Sequence, residues 1–186
     1  GVVIGGAILI LVILAALFAP LLAQHGPFQQ SLADRLQPPF WMRGGSADYI
    51  LGTDHLGRDY FSRLLYGARV SLLIGFTTAL ISGTIGTFLG IIAGYFGGRT
   101  DSVVMFLVTI KLSIPTILVA LAIVQLVGGS LQTVILVLGF LLWHQFAVVT
   151  RATTMQIRGM DFITAAETVG CSTPRILATE VLPNVL

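Results

Sequence analysis

From Val70 to Gly98 the chain runs 29 residues without a charged side chain, and from Gly1 to Ala23 another 23. At about 1.5 Å per residue either run is long enough as a helix to cross a hydrocarbon core of about 30 Å. In such a core backbone polar groups must be satisfied within the segment, so helix is the form these runs dictate. Ser102 to Val127 makes a third candidate, interrupted by Lys111 and Pro115, and Gly128, Gly129 and Ser130 make a tight turn into a fourth, Leu131 to Thr150. The expected fold is therefore all-α, a polytopic transmembrane helical bundle with spans at 1–23, 70–98, 102–127 and 131–150. Composition agrees: 55% of residues are hydrophobic and 10% charged, about half the usual charged share, which excludes an ordinary soluble domain and also disorder. A cleaved signal peptide is the competing reading of 1–23. It lacks an initiator Met, a basic leading region and a small-residue cleavage site before Gln24, so the segment is read as membrane helix and the true N-terminus as lost.

Residues 24–69 differ in kind, with nine of the eighteen charges and three prolines, and read as a polar loop outside the bilayer. Toward its end Phe61, Leu64, Leu65 and Ala68 fall at helical spacing among Arg58, Arg63 and Arg69, the pattern of a short interfacial helix. After Thr150 the chain is polar and helical in short pieces, and 183–186 read as the start of a further span, so the chain is expected to be truncated. Arginine bias does not orient the spans, with five arginines in the 24–69 loop against Arg99, Arg151, Arg158 and Arg175 on the other side.

Gly86, Gly90, Gly94 and Gly98 repeat every fourth residue and leave one face of the second span nearly bare. Such a face permits close helix approach, either within this subunit or against a partner. Lys111, the only lysine, is costly at membrane depth. Its stem either snorkels to the interface or its ammonium lines a pathway. Pro115, four residues on, removes the donor for the Lys111 carbonyl and is expected to kink the span. His144 reads as a packed, hydrogen-bonded side chain rather than a proton relay, since no intramembrane carboxylate is at hand. The run Gly52 to Asp59 sets acids beside His55, but no hydrolase motif accompanies it. Cys171 is alone and His25, His55 and His144 are scattered, which suggests neither disulfide nor metal, and a net charge of +2 gives no reason to expect nucleic acid. No G-x-x-x-x-G-K-[ST] run exists, so no P-loop cofactor site for ATP is present and any nucleotide-driven work is expected from another polypeptide.

Residues 159–183 are the most legible stretch. Asp161 is placed to cap a helix over 162–169, Ala165 and Ala166 leave a close-approach patch, and Gly170 supplies a left-handed stop. Thr173 as N-cap and Pro174 at the first helical position then start a second helix that runs to Pro183. Two short helices at a glycine turn make a compact knob, readable either as a docking element or as an interfacial loop with no partner.

This stretch resembles the membrane-permease subunits of binding-protein-dependent ABC importers, whose signature is E-A-A, three residues, Gly, nine residues, then I-x-L-P. Here it reads Thr164-Ala165-Ala166-Glu167-Thr168-Val169-Gly170, then Glu180-Val181-Leu182-Pro183. Thr164 stands where Glu is usual and Glu180 where an aliphatic residue is common. The runs Leu51 to Asp59, Leu65 to Leu72, Gly94 to Gly98 and Arg158 to Phe162 are similar to the dipeptide and oligopeptide branch. In the third span Phe106 and Thr109 occupy places where that branch often carries Arg and Asp. The resemblance implies a six-span permease subunit in the bacterial inner membrane, with a cytoplasmic N-terminus and a periplasmic 24–69 loop. It implies a second homologous permease, two ATPase subunits that bind the ATP, and a periplasmic binding protein that delivers the peptide. The chain itself would be no enzyme and would hold no cofactor. Asp161, Thr164, Ala165, Ala166, Glu167 and Gly170 would form the interface that couples to the ATPases. The same branch also moves nickel complexes, glutathione and opines, and a non-transporting membrane scaffold is the competing class.

Overall fold

The computed structural model describes residues 1–185 and is entirely helical apart from loops and one isolated bridge, Thr53 to Asp59. It divides into two compact units, Gly1–Gly75 and Phe76–Leu186, with one long helix running through the boundary. Among the described residues two helices are long and apolar enough to cross a membrane, or three if a bent pair is taken as one span. Large apolar side chains face outward, Leu126 at 87% exposure and Ile117 and Phe76 at 74% each, the reverse of a soluble core and the pattern expected of lipid-facing helices.

In the first unit, α1 (Val2–Leu17) is apolar around its whole circumference and is followed by the single turn α2 (Ala19–Leu22). The expected span 1–23 is thus not one helix. Phe18, at φ −88° and ψ 10°, separates the two pieces, with Pro20 near the start of the second. The loop that follows is organised by two buried carboxylates. Asp54 accepts hydrogen bonds from the backbone N–H groups of Leu56 (2.8 Å) and Arg58 (3.0 Å), and from the guanidinium groups of Arg58 (2.8 Å) and Arg63 (2.5 Å). Burial pushes its pKa up, but the backbone N–H donors of Arg58 and Leu56 and the Arg58 guanidinium outweigh it and hold the carboxyl well below the usual carboxylate range. Asp59 accepts from the N–H groups of Phe61 and Ser62, satisfying orphan donors at the start of the next helix. The acids beside His55 are thus structural ties, and His55 itself is exposed.

That next helix, α3 (Tyr60–Phe96), is one uninterrupted run of 37 residues. The separate interfacial helix expected before Val70 does not exist. No glycine turn or proline lies near Arg69, and a change from charged to apolar side chains does not break backbone hydrogen bonding. At its far end Gly97 and Gly98 take positive φ values of 63° and 51°, ending α3 two residues before the expected limit of that span.

In the second unit α4 (Gly98–Ser113) and α5 (Thr116–Val127) are two arms of the third expected span, bent by 79°. Pro115 has no N–H, so the Lys111 carbonyl is met only by Ile114 N–H at 3.4 Å, as the sequence led one to expect. Ser130 caps α6 (Leu131–Arg158) through its side chain on Thr133 N–H at 3.1 Å. This helix continues eight residues past the expected end at Thr150, again because a change of polarity is not a helix stop.

The glycine stripe seats α6 on α3. A Cβ on Gly90 would lie 2.7 Å from the Ala147 carbonyl oxygen and 2.8 Å from Thr150 Cβ, and one on Gly94 would lie 2.7 Å from the Arg151 carbonyl oxygen. Gly86 meets Trp143 and Ala147 in the same way. The partner is one helix of this same chain, met at positions four apart, so the stripe works as packing within the subunit. Gly98 does not belong to it: it sits in the turn with nothing near its missing side chain. Asp101 at the start of α4 holds Arg151 of α6 through both carboxylate oxygens, one at 2.5 Å from Nη2.

Candidate functional site

Beyond Gly159 the chain folds back as the knob. Its first helix, α7 (Asp161–Thr168), begins one residue earlier than expected: Met160 is the N-cap, and Asp161 occupies the first turn without a capping hydrogen bond. There its negative charge still lies at the positive end of the helix dipole. The stop is as expected. Gly170 has φ +83°, its N–H bonds to the Glu167 carbonyl at 3.0 Å, and Cys171 N–H bonds to the Ala166 carbonyl at 3.0 Å. These are the two bonds of a Schellman turn, which only a residue at ease with positive φ closes without strain.

The second helix is also displaced by one residue, with Ser172 as N-cap and Thr173 and Pro174 in the first turn. It runs as α8 (Thr173–Ile176), a π-helical turn over Leu177–Val181, and α9 (Leu182–Val185). The wide turn has a local cause, because Pro183 cannot donate to Thr179 and its ring needs room beside that carbonyl. Leu182 N–H reaches back five residues to Leu177. Residue 186, the last of the expected further span, lies outside the described residues.

A small apolar core fastens the knob to the ends of the long helices. Ile163 and Ile176, each 1% exposed, pack with Ile91 and Tyr95 of α3, Ile157 of α6 and Val181. Over this core Tyr95 Oη donates to Glu167 Oε1 at 2.9 Å, and the Arg158 guanidinium lies 5.8 Å from the centre of the Tyr95 ring. Asp161, Thr164, Ala165, Glu167 and Gly170 all lie at the surface, whereas Ala166 is half-buried against the core. The small-residue patch therefore has two parts: Ala165 with Thr164 faces outward, and Ala166 lets α7 sit close to the residues beneath. Glu167, which the resemblance places in the ATPase-coupling interface, is exposed and also accepts from Tyr95, a partner 72 residues away that no local pattern indicates.

Lys111 is half-buried at the elbow between α4 and α5, where its Nζ donates to Thr116 Oγ1 at 2.7 Å and ties the two arms together. His144 is buried with Nδ1 3.2 Å from the Leu141 carbonyl oxygen. Among the described residues no three His, Cys, Asp or Glu side chains converge as a metal site requires.

Set beside known proteins, residues 86–186 match the family described as the binding-protein-dependent transport system inner membrane component, and residues 1–39 match the N-terminal TM domain of oligopeptide transport permease C. The chain is 36% identical, over its whole length and 63% of the relative's, to the dipeptide transport system permease protein DppC of Haemophilus influenzae. It is 39% identical to the di/tripeptide transport system permease protein DppC of Pseudomonas aeruginosa, over 98% of this chain and 61% of that one. The oligopeptide transport system permease protein OppC of Bacillus subtilis is 32% identical over 98% of this chain and 58% of its own length. The chain thus spans about three fifths of the length of these relatives.

Proposed function

The chain belongs to the family of binding-protein-dependent transport system inner membrane components, the permease subunits of ABC transporters, and from that premise we propose that it forms part of the membrane pathway of an ATP-driven importer of di- or oligopeptides. The named relatives are permeases of dipeptide, di/tripeptide and oligopeptide transport systems, which supports the substrate class. On this reading it lies in the bacterial inner membrane, pairs with a second homologous permease, and takes peptide from a periplasmic binding protein. Two ATPase subunits bind the ATP, and this chain holds no nucleotide itself.

The observation that carries the reading is the construction of the knob. An eight-residue helix with a small outward face at Thr164 and Ala165 is closed by the Gly170 turn and seated on the ends of α3 and α6. A rigid, close-fitting projection of this kind transmits displacement: as the ATPases close, the docked knob moves and the helices beneath it move with it. A large side chain at Ala165 would hold the two surfaces apart. In cells carrying the complete transport system, Ala165→Arg should leave the protein in the membrane at its normal level while uptake of a radiolabelled dipeptide falls by about tenfold or more. Gly170→Asp, which strains the turn, should act in the same direction. Normal uptake in both variants would overturn the assignment.

A further inference from the structure

The polar contact between the knob and α3 has a more specific consequence. The α7 helix is only eight residues long, and its one fully buried side chain is Ile163. Ile163 and the half-buried Ala166 hold one face of it by apolar contact, which is non-directional and lets the helix rock. Glu167 lies one helical turn further along the same face, and its carboxylate accepts from Tyr95 Oη at 2.9 Å. This directional bond on the same face resists the rocking.

The donor is itself well held. Tyr95 is 7% exposed and is the penultimate residue of α3, with the Arg158 guanidinium at the end of α6 over its ring and Phe96 against its edge at 5.4 Å between centroids. Behind it, α3 and α6 are joined through the glycine stripe, and α6 is joined to α4 through Asp101 and Arg151. A movement of α7 passed through Glu167 therefore arrives at helices that shift together.

We propose that the Tyr95–Glu167 hydrogen bond is the latch that makes the knob and the membrane helices one moving body, so that these two side chains are positioning residues of the transport cycle. The proposal rests on the reading of the chain as an ATP-driven permease, and it adds which contact carries the motion. A hydrogen bond to a charged acceptor shifts an equilibrium by about tenfold or more, so its loss should let the knob lift without unfolding.

Cys171, half-buried against the core just past the Schellman turn, is a built-in reporter of that lifting. The full-length protein would be studied in membranes with its partner subunits, and maleimide labelling of Cys171 followed by mass spectrometry on the tryptic peptide 159–175. Tyr95→Phe removes only the hydroxyl, and Glu167→Ala removes the acceptor from the exposed side without opening the core. Both should raise the labelling rate by about tenfold, while Glu167→Gln, which keeps an oxygen acceptor without the charge, should raise it only about threefold. In proteoliposomes the first two should hydrolyse more ATP per dipeptide imported, with Glu167→Gln lying between them and wild type. Labelling rates and ratios equal to wild type in Tyr95→Phe and Glu167→Ala would overturn the latch. A wild-type complex that imports no peptide would instead overturn the transport reading, and the labelling rates would still decide whether the latch exists.

Discussion

Adding one methyl group to the glycine stripe is the sharpest test of how the long helices are held. At Gly90 the new Cβ would lie 2.7 Å from the Ala147 carbonyl oxygen, 2.8 Å from Thr150 Cβ and 3.0 Å from Arg151 N. The first contact falls about 0.7 Å short of an ordinary van der Waals separation, and two of the three atoms are backbone, so no side chain can simply turn away. The helices must part locally, and overpacking of this kind costs about 1–3 kcal/mol. Gly75→Ala is the matched control, because nothing lies within 4 Å of the new methyl in the same helix. There the change should stabilise by about 0.5–1 kcal/mol through helix propensity alone. The two substitutions share that propensity gain, so the overpacking cost appears as their difference, and the Gly90→Ala midpoint should lie below that of Gly75→Ala. Thermal unfolding of the detergent-purified protein, read with a thiol-reactive dye on Cys171, measures both. A Gly90→Ala midpoint equal to or above that of Gly75→Ala would refute the close approach of α3 and α6.

Three further outcomes follow from other contacts. Loss of the Asp101–Arg151 pair through Arg151→Gln should destabilise by about 1–3 kcal/mol, and Asp101→Asn added to it should cost little more, so a double-mutant cycle that sums additively would deny the pairing. Pro115→Ala restores a donor for the Lys111 carbonyl and should open the 79° bend, lengthening the distance between spin labels at Val103 and Leu126; an unchanged distance would show that the elbow has another cause. Because Asp54 has its pKa lowered on folding, the stability it contributes is complete above the ordinary aspartate value near 3.8 and drains away as pH falls from there through the lower folded value. Hydrogen exchange at Leu56 and Arg58 should show that protection, and Asp54→Asn should remove its pH dependence.

The boundaries show where local reading works and where it stops. Pro115 and Gly170 were legible because each acts through its own backbone: one lacks a donor, the other tolerates positive φ. At Arg69 and Thr150 the polarity of the sequence changes, yet α3 and α6 run on, since helical hydrogen bonds are indifferent to whether the next side chain is charged. The caps at Asp161 and Thr173 each missed by one residue, because Met160 and Ser172 hold the extended backbone that a cap requires. Of the residues predicted for the site, Ala165 lies outward, Ala166 leans into the core, and Gly98 leaves the stripe for a turn.

Chain chemistry by itself determined that this protein consists of apolar helices, that one helix carries a bare glycine face, that the third span bends, and that a glycine-stopped helix projects near residue 165. Each of these follows from uncharged length, side-chain volume or backbone freedom within a few residues. Only the tertiary structure decided what those features meet. The glycine face takes the carbonyls of α6 half a hundred residues on, Asp54 gathers two arginines, and Tyr95 reaches Glu167 across 72 positions. Such contacts depend on which surfaces come within about 3 Å of one another, and that is a property of packing that no local pattern contains.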